Sequence, residues 1–312
     1  MHRYIALLST IAILSLVACA KGEKTDEPEV EATATSSVVE TLTVYTVSYP
    51  LQYFAQRIGG DRVDARFPAP ADVDPAYWAP AAETIGEYQQ ADLILLNGAG
   101  YAKWIERATL PASKLVDTSV GYQDRLLQLK EGTVHTHGLE GEHSHKGYAF
   151  TTWLDPTLGV EQARAVAAAL TKASPEERDT FQSGLESLIA DLEALDERQA
   201  ELTLAIGDQA LLFSHPVYQY LIDRYQLNAL SVHWEPDEVP SADQWQELEE
   251  LLGSHPARWM IWEAQPAPET VQRLQELGIE SVVYAPCGNT PTSGDLLAVM
   301  QRNADALAQI QE

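Results

Sequence analysis

The sequence predicts an α/β protein with two lobes, each containing an open, largely parallel sheet, joined by a long bridging helix with a ligand cleft between the lobes. Strand-like and helix-like segments alternate through most of the chain. The stretch of about 270 residues after position 40 exceeds what one compact core usually supports. We therefore expect an N-terminal lobe at 41–173, the bridging helix at 174–202 and a C-terminal lobe at 203–312.

The first lobe begins with a strand that leads into a helix. Residues 41–48 alternate β-branched and aromatic side chains, and residues 51–58 have helical spacing that stops at Gly59 and Gly60. The same pattern then repeats. It predicts strands at 63–67 and 92–96 and helices at 81–90 and 102–108.

The bridging helix has a recognisable beginning at Ser174 and Pro175. A serine cap, a proline in the first turn and Glu177 predict a capping box. One apolar stripe follows at helical spacing, formed by Phe181, Leu185, Leu188, Ile189, Leu192 and Leu195. Without interruption to Leu202, the helix would be about 40 Å long at 1.5 Å per residue, which is enough to bridge two lobes.

The alternation resumes in the second lobe, which ends in a helix. The patterns predict strands at 204–206, 211–214, 259–262 and 281–284 and helices at 218–225, 270–277 and 294–310.

The first 40 residues indicate export and anchoring. Residues 1–18 combine an early charge at Arg3 with a short apolar run, which is typical of a signal peptide. Residues 16–18 complete a lipoprotein processing box before Cys19, which we expect to be lipidated. The alternative is a plain secretory peptide with a chance cysteine. Residues 19–40 read as a disordered acidic tether, so the sequence predicts an exported protein, lipid-anchored at the periplasmic or extracellular face of a bacterial membrane.

The formal net charge of −26 becomes −27 once Arg3 is removed with the signal peptide. Such an acidic chain is a poor partner for nucleic acid, which binds basic surfaces. With Cys19 lipidated, Cys287 is the one remaining thiol, so no internal disulfide can form.

Several segments carry a resemblance to a known family. They are 58–63, 73–75, 91–100 followed by Trp104, and the Trp-Leu-Asp-Pro run at 153–156. In order and spacing the chain resembles the zinc- and manganese-type solute-binding proteins of bacterial ABC importers. The resemblance implies a two-lobed receptor that delivers a divalent transition metal, with zinc favoured, to an importer permease and its ATPase. The metal would be the cargo, and the family has no catalytic cofactor.

The resemblance also implies four metal-ligand positions, which in this chain are Ala76, Thr151, His215 and Ala285. Only His215 has a side chain that can coordinate a metal. Because even an open zinc site uses three protein ligands, this set cannot hold zinc tightly. We therefore expect metal binding to be weak or to use other ligands.

A loop at 132–147 offers additional imidazoles, which suit zinc, copper and nickel. They are His135, His137, His143 and His145. The loop would either collect metal weakly, as a major contributor to binding, or remain a solvated loop whose histidines have no role.

Residues near the expected cleft could rebuild a site from His215, His233, Glu263 and Cys287. The sequence does not show that they converge. His215 follows a predicted strand, a position that faces the cleft in open α/β lobes, but it could equally be a hydrogen-bonded structural histidine. Cys287 could be a soft ligand or a small buried apolar side chain. The neighbouring loop also contains Glu235 and Asp237.

Three tryptophans, Trp78, Trp153 and Trp234, would fall near the cleft. Aromatic walls suit an organic ligand or a metal chelate, although core packing explains most tryptophans equally well. The favoured function is a metal-importer receptor. The alternatives are the same scaffold binding a metal chelate or a small organic solute, and a surface metal buffer acting through the histidine loop. An enzyme built on Cys287 and His215 is not favoured, because no orienting group or oxyanion motif accompanies them.

Overall fold

A computed structural model describes residues 41–129, 134–136, 142–144 and 147–310 of the chain. The described residues all belong to one compact unit. The predicted signal peptide with Cys19, the tether, His137 and His145 lie outside the described residues.

The first half contains a four-stranded parallel sheet. Its strands are β1 (Leu42–Thr46), β2 (Val63–Arg66), β3 (Leu93–Leu96) and β4 (Leu115–Asp117), in the spatial order β2-β1-β3-β4. Helix α1 (Tyr49–Gly59) follows β1, and α2 (Ala82–Gln90) precedes β3. The predicted helix at 102–108 is a short 3₁₀ turn, Lys103–Glu106.

A short two-stranded antiparallel sheet, formed by β5 (Val134–Thr136) and β6 (Glu142–Ser144), follows the first sheet. Helix α3 (Pro156–Ala173) comes next, with Pro156 in its first turn and the Asp155 carboxylate accepting a 2.8 Å hydrogen bond from the Thr157 amide. That arrangement is a standard N-cap, which satisfies an amide that the helix leaves unpaired.

The long central helix, α4 (Arg178–Ile206), has 29 residues and spans about 43 Å at 1.5 Å per residue. A 3₁₀ turn, Pro175–Glu177, precedes it, and the Ser174 hydroxyl donates to the Glu176 carboxylate at 2.7 Å, so the predicted capping box with Glu177 does not form. The predicted strand at 204–206 is wrong. These residues are the last helical turn, which ends at Gly207 with φ of +64°.

The second half contains another four-stranded parallel sheet. Its strands are β7 (Leu211–Phe213), β8 (Ala229–Ser231), β9 (Trp259–Trp262) and β10 (Glu280–Val283), in the order β10-β9-β7-β8. Its helices are α5 (Gln219–Tyr225), α6 (Ala242–Ser254), α7 (Pro268–Glu276) and α8 (Leu296–Gln309). The two parallel sheets and the long helix confirm the predicted fold class, while the exact lobe boundaries stay a prediction.

The apolar core connects the two halves. One face of α4 is buried, and this helix packs against α1 and α3 of the first half and against α8 of the second. The main buried cluster accordingly includes Val44 of β1, Leu188 of α4 and Phe213 of β7. A smaller cluster around Trp245 and Trp262 lies on the other side of the second sheet. The expected lobes therefore have separate sheets but share one continuous core.

In the part of the chain that the structure describes, no helix is both long enough and apolar enough to cross a membrane.

Candidate metal site

Three side chains with metal-binding chemistry emerge from the carboxyl ends of three neighbouring strands. His215 lies two residues after β7, Glu263 directly follows β9, and Glu235 lies four residues after β8. Because these strands are parallel and adjacent in the order β9-β7-β8, their ends meet at one edge of the sheet. The strand order reverses direction at β7, and open α/β sheets bind ligands at such switch points.

Backbone hydrogen bonds beyond the strands hold these residues in place. The Ser214 amide donates to the Ile261 carbonyl at 2.9 Å, and the Trp234 amide donates to the Ser214 carbonyl at 2.8 Å. The Ala267 amide donates to the Pro236 carbonyl at 2.8 Å. The loops that carry the three side chains are therefore tied to the sheet and to each other.

The donor atoms of His215, Glu235 and Glu263 all lie within 4.8 Å of one another. His215 is buried, the two glutamates are half-buried, and His215 Nδ1 lies 3.8 Å from Glu235 Oε1. One imidazole and two carboxylates form a donor set that suits a divalent transition metal. Three protein ligands also match the count of an open zinc site, which leaves further coordination positions for other ligands.

These side chains face a cavity of about 560 Å³ between the two halves. Its charged lining is acidic, comprising Asp72, Asp74, Glu235, Asp237 and Glu263. Among the described residues that line the cavity, none is a lysine or an arginine. A concave site lined by one sign of charge concentrates the opposite ion, so this cavity attracts cations.

Two tyrosines on the first-half side of the cavity remain protonated. Burial, followed by the charge of Asp74, raises the pKa of Tyr77, and burial raises the pKa of Tyr101 well above its ordinary value. Their phenols therefore add polar but uncharged groups to the cavity wall.

Two predicted cleft residues, Thr151 and Trp153, line this cavity. The Thr151 hydroxyl donates to the Val217 carbonyl, and the Trp153 indole donates to the Pro286 carbonyl at 2.7 Å. Thr151 thus shares the cavity with His215, as the resemblance implies, but its hydroxyl serves a contact between the halves.

Three other predicted cleft residues, Ala76, Ala285 and Trp78, are not among the residues that line the cavity. Ala76 is buried next to Tyr77, which does line the cavity. Ala285 is half-buried, and the Asn303 side chain binds both its backbone amide, at 2.9 Å, and its carbonyl, at 2.8 Å. Trp78 packs edge-on against Trp104, with ring centroids 6.4 Å apart, beside a second cavity.

The structure brings together only part of the alternative metal site that the sequence suggested, which comprised His215, His233, Glu263 and Cys287. His215 and Glu263 converge, whereas His233 and Cys287 lie outside the three-residue group. The His233 ring packs edge-on against His215, with centroids 5.9 Å apart. Cys287 lines the cavity, but burial raises the pKa of its thiol to about 12, which favours the neutral thiol over the metal-binding thiolate.

Glu235 is the residue missing from that predicted set. Its loop could be placed near the cleft from the sequence, but β8 is not among the predicted strands, so Glu235 could not be distinguished from Asp237 in the same loop. Trp234, the third predicted cleft tryptophan, instead packs against Trp245 in the core, with centroids 4.7 Å apart.

In its described part, the histidine loop contains the two paired strands β5 and β6. His135 of β5 pairs with His143 of β6 in the backbone register. The role of the four histidines as metal ligands stays a prediction.

A family model described as "Zinc-uptake complex component A periplasmic" matches residues 44–310. The chain belongs to this ZnuA family. The match confirms the resemblance and shows that the family of this chain is one of substrate-binding receptors.

Curated relatives of this chain carry names for two different metals. The chain is 25% identical over 283 residues to a "High-affinity zinc uptake system protein ZnuA" of Bacillus subtilis, covering 85% of this chain and 86% of that protein. It is 26% identical over 202 residues to a "Manganese ABC transporter substrate-binding lipoprotein PsaA" of Streptococcus anginosus, covering 62% and 59%.

Among solved structures, the Zn(II)-bound ZnuA-like domain of Streptococcus pneumoniae AdcA has a TM-score of 0.74 to this chain. It is 21% identical, and the match covers 87% of this chain and 99% of that one. At this identity the likeness supports the fold.

Proposed function

We propose that this protein is the extracytoplasmic receptor of a metal ABC importer, and that it binds one divalent transition metal through His215, Glu235 and Glu263. The observation that carries this proposal is the convergence of their donor atoms within 4.8 Å in a cavity whose charged lining is otherwise acidic. Zinc is the favoured metal because three ligands including an imidazole suit an open zinc site. The carboxylate pair also suits manganese.

The other parts of the proposal follow from the family and the N-terminal sequence. The cargo would pass to an importer permease and ATPase, and Cys19 would carry the lipid anchor at the outer face of the membrane. We propose a receptor without catalytic activity. Burial holds the Cys287 thiol neutral, which makes it a poor nucleophile.

Calorimetric titration of zinc and of manganese into the purified protein tests this proposal. We expect one site, and we expect His215→Ala or Glu263→Gln to weaken metal binding about 100-fold or more. Even the loss of a residue that only hydrogen-bonds to a metal ligand weakens metal affinity roughly 10- to 100-fold. Asp237→Asn is the matched control. It removes a carboxylate from the same cavity but outside the three-residue group, and should change the affinity far less.

A variant lacking residues 132–147 separates this site from the histidine loop. Tight one-to-one binding that survives the deletion but is lost in His215→Ala would support the cavity site. Binding that is lost with the loop and unaffected by Glu263→Gln would contradict the proposal and favour a metal buffer.

A further inference from the structure

We propose that the cargo of this receptor is a divalent metal ion together with a small organic co-ligand that is neutral or cationic and contains nitrogen donors. The inference rests on the proposed function, because the metal is taken to sit on His215, Glu235 and Glu263. It adds the chemical class of the group that occupies the rest of the cavity.

The first observation is the size of the cavity relative to a metal ion. In the volume accessible to a water-sized sphere, one water needs roughly 10 to 15 Å³, so a cavity of about 560 Å³ is several times larger than the six waters of a hydrated ion require. A volume in this range is typical of sites for small organic molecules.

The second observation is the position of the three ligands. They all come from the carboxyl-end edge of the second sheet, whereas Thr151 occupies one of the first-half positions where the family resemblance implies a ligand. A metal held by three donors from one wall keeps open coordination positions, and these would point toward the first half. An organic donor can bind there directly to the metal.

The third observation is the aromatic surface on the first half. Four rings line the cavity, from Tyr77, Tyr101, Phe150 and Trp153. They pack edge-on in a chain, with centroid distances of 6.3 Å for Tyr77–Phe150, 5.3 Å for Tyr101–Phe150 and 5.9 Å for Tyr101–Trp153. A rigid aromatic wall with neutral phenols suits a flat or apolar organic group and contributes little to binding a hydrated ion.

The charge of the side chains that line the cavity determines which class of co-ligand can bind there. Two carboxylates belong to the metal group, and Asp72, Asp74 and Asp237 add three more without a lysine or arginine among the described lining residues. An anionic chelator such as a polycarboxylate would be repelled, whereas an amine or imidazole compound would be attracted.

Histamine is a suitable probe because it combines an imidazole with an amine and lacks a carboxylate, and citrate is the anionic comparison. The zinc-loaded protein is titrated with each compound by calorimetry, and native mass spectrometry identifies the species that form. We expect one histamine to bind per zinc-loaded protein, as a ternary complex, with no binding to the metal-free protein and no ternary complex with citrate.

Two variants separate this inference from the proposed function. Phe150→Leu keeps apolar volume but removes a ring, so it should leave zinc binding intact and weaken histamine binding about tenfold, the effect of losing one aromatic contact. Glu263→Gln should lose zinc and histamine together.

If the protein binds zinc but histamine only removes the metal and forms no ternary complex, the inference is overturned and the proposed function stands. Equal binding of citrate would overturn the co-ligand class. Failure of the unmodified protein to bind zinc or manganese at all would overturn both proposals.

Discussion

The Cys287 side chain combines burial with an uncommon backbone conformation. Only 9% of the residue is exposed, and its φ of +59° lies in the left-handed region that favours glycine. Burial raises the pKa of the thiol from 9.0 to about 12, although Arg302 opposes part of the shift. The folded protein therefore binds the thiol proton more tightly than the unfolded chain does.

This difference predicts how stability changes in alkaline solution. A folded pKa above the unfolded value gives a stabilising contribution that is complete below about pH 9 and is lost as the pH rises toward 12. We expect the free energy of unfolding to fall more steeply over this range in the unmodified protein than in Cys287→Ala, which lacks the thiol. Denaturant unfolding at several pH values measures it, and parallel curves for the two proteins would contradict the prediction. Tyr49 adds to the same difference, because its pKa is raised to about 12 first by burial and then by the neighbouring Cys287, and the second cause is absent in Cys287→Ala.

At the residue scale, part of the candidate site could be predicted from the sequence. His215 and Glu263 could be singled out because residues just after parallel strands face the ligand edge of a sheet. Glu235 lies four residues beyond its strand, where the path of the loop decides which side chains turn inward. That path depends on hydrogen bonds to the neighbouring loops, and periodicity within one segment cannot predict them.

At the element scale, the close approach of α1 and α4 depends on Gly184. A Cβ added there would lie 2.4 Å from the Ile58 carbonyl oxygen and 2.8 Å from the Ile58 Cα, so the two backbones pack directly against each other. The neighbouring atoms belong to the main chain and cannot move aside as a flexible side chain can.

Gly184→Ala should therefore destabilise the protein, by about 1 to 3 kcal/mol, even though alanine is the better helix former. The matched control is Gly253→Ala in α6, where nothing lies within 4 Å of the added Cβ. That change should stabilise by about 0.5 to 1 kcal/mol. Chemical denaturation of both variants checks the pair, and stabilisation by Gly184→Ala would show that the helices are not in close contact.

Elements could be predicted where the apolar pattern of a segment fits one type of secondary structure. The strand at Trp259–Trp262 matches its predicted range. The predicted strand at 204–206 fails because its apolar residues continue α4, where Leu204 is 83% exposed and only Ile206 faces the core. Helix α6 begins at a capping box formed by Ser241 and Gln244, a signal that could have revealed this helix from the sequence.

At the scale of the whole molecule, several contacts hold the two halves together. The Tyr49 amide donates to the Gly288 carbonyl at 3.1 Å, and the Asn289 side chain donates to the carbonyls of Pro70, at 2.7 Å, and Val73, at 2.8 Å. The Trp153 indole reaches the same segment. Chain length and alternation predict two lobes, but they cannot predict a shared core, which depends on which helix faces meet.

The shared core predicts that the two halves unfold together. Val44 of β1 and Phe213 of β7 belong to one buried cluster, which α4 spans, and a large apolar interface opposes independent unfolding of its two sides. We expect the amides of β1 and β7 to exchange with solvent through the same global opening, with equal free energies. Zinc at a free concentration about 100 times its dissociation constant should raise both by the same amount, about 2.7 kcal/mol. At the same zinc concentration, the weaker binding of His215→Ala should reduce this increase to about 0.4 kcal/mol or less. Hydrogen exchange resolved by residue measures both effects. A lower opening free energy for one sheet, or protection by zinc confined to β7, would show that the halves are energetically separate lobes.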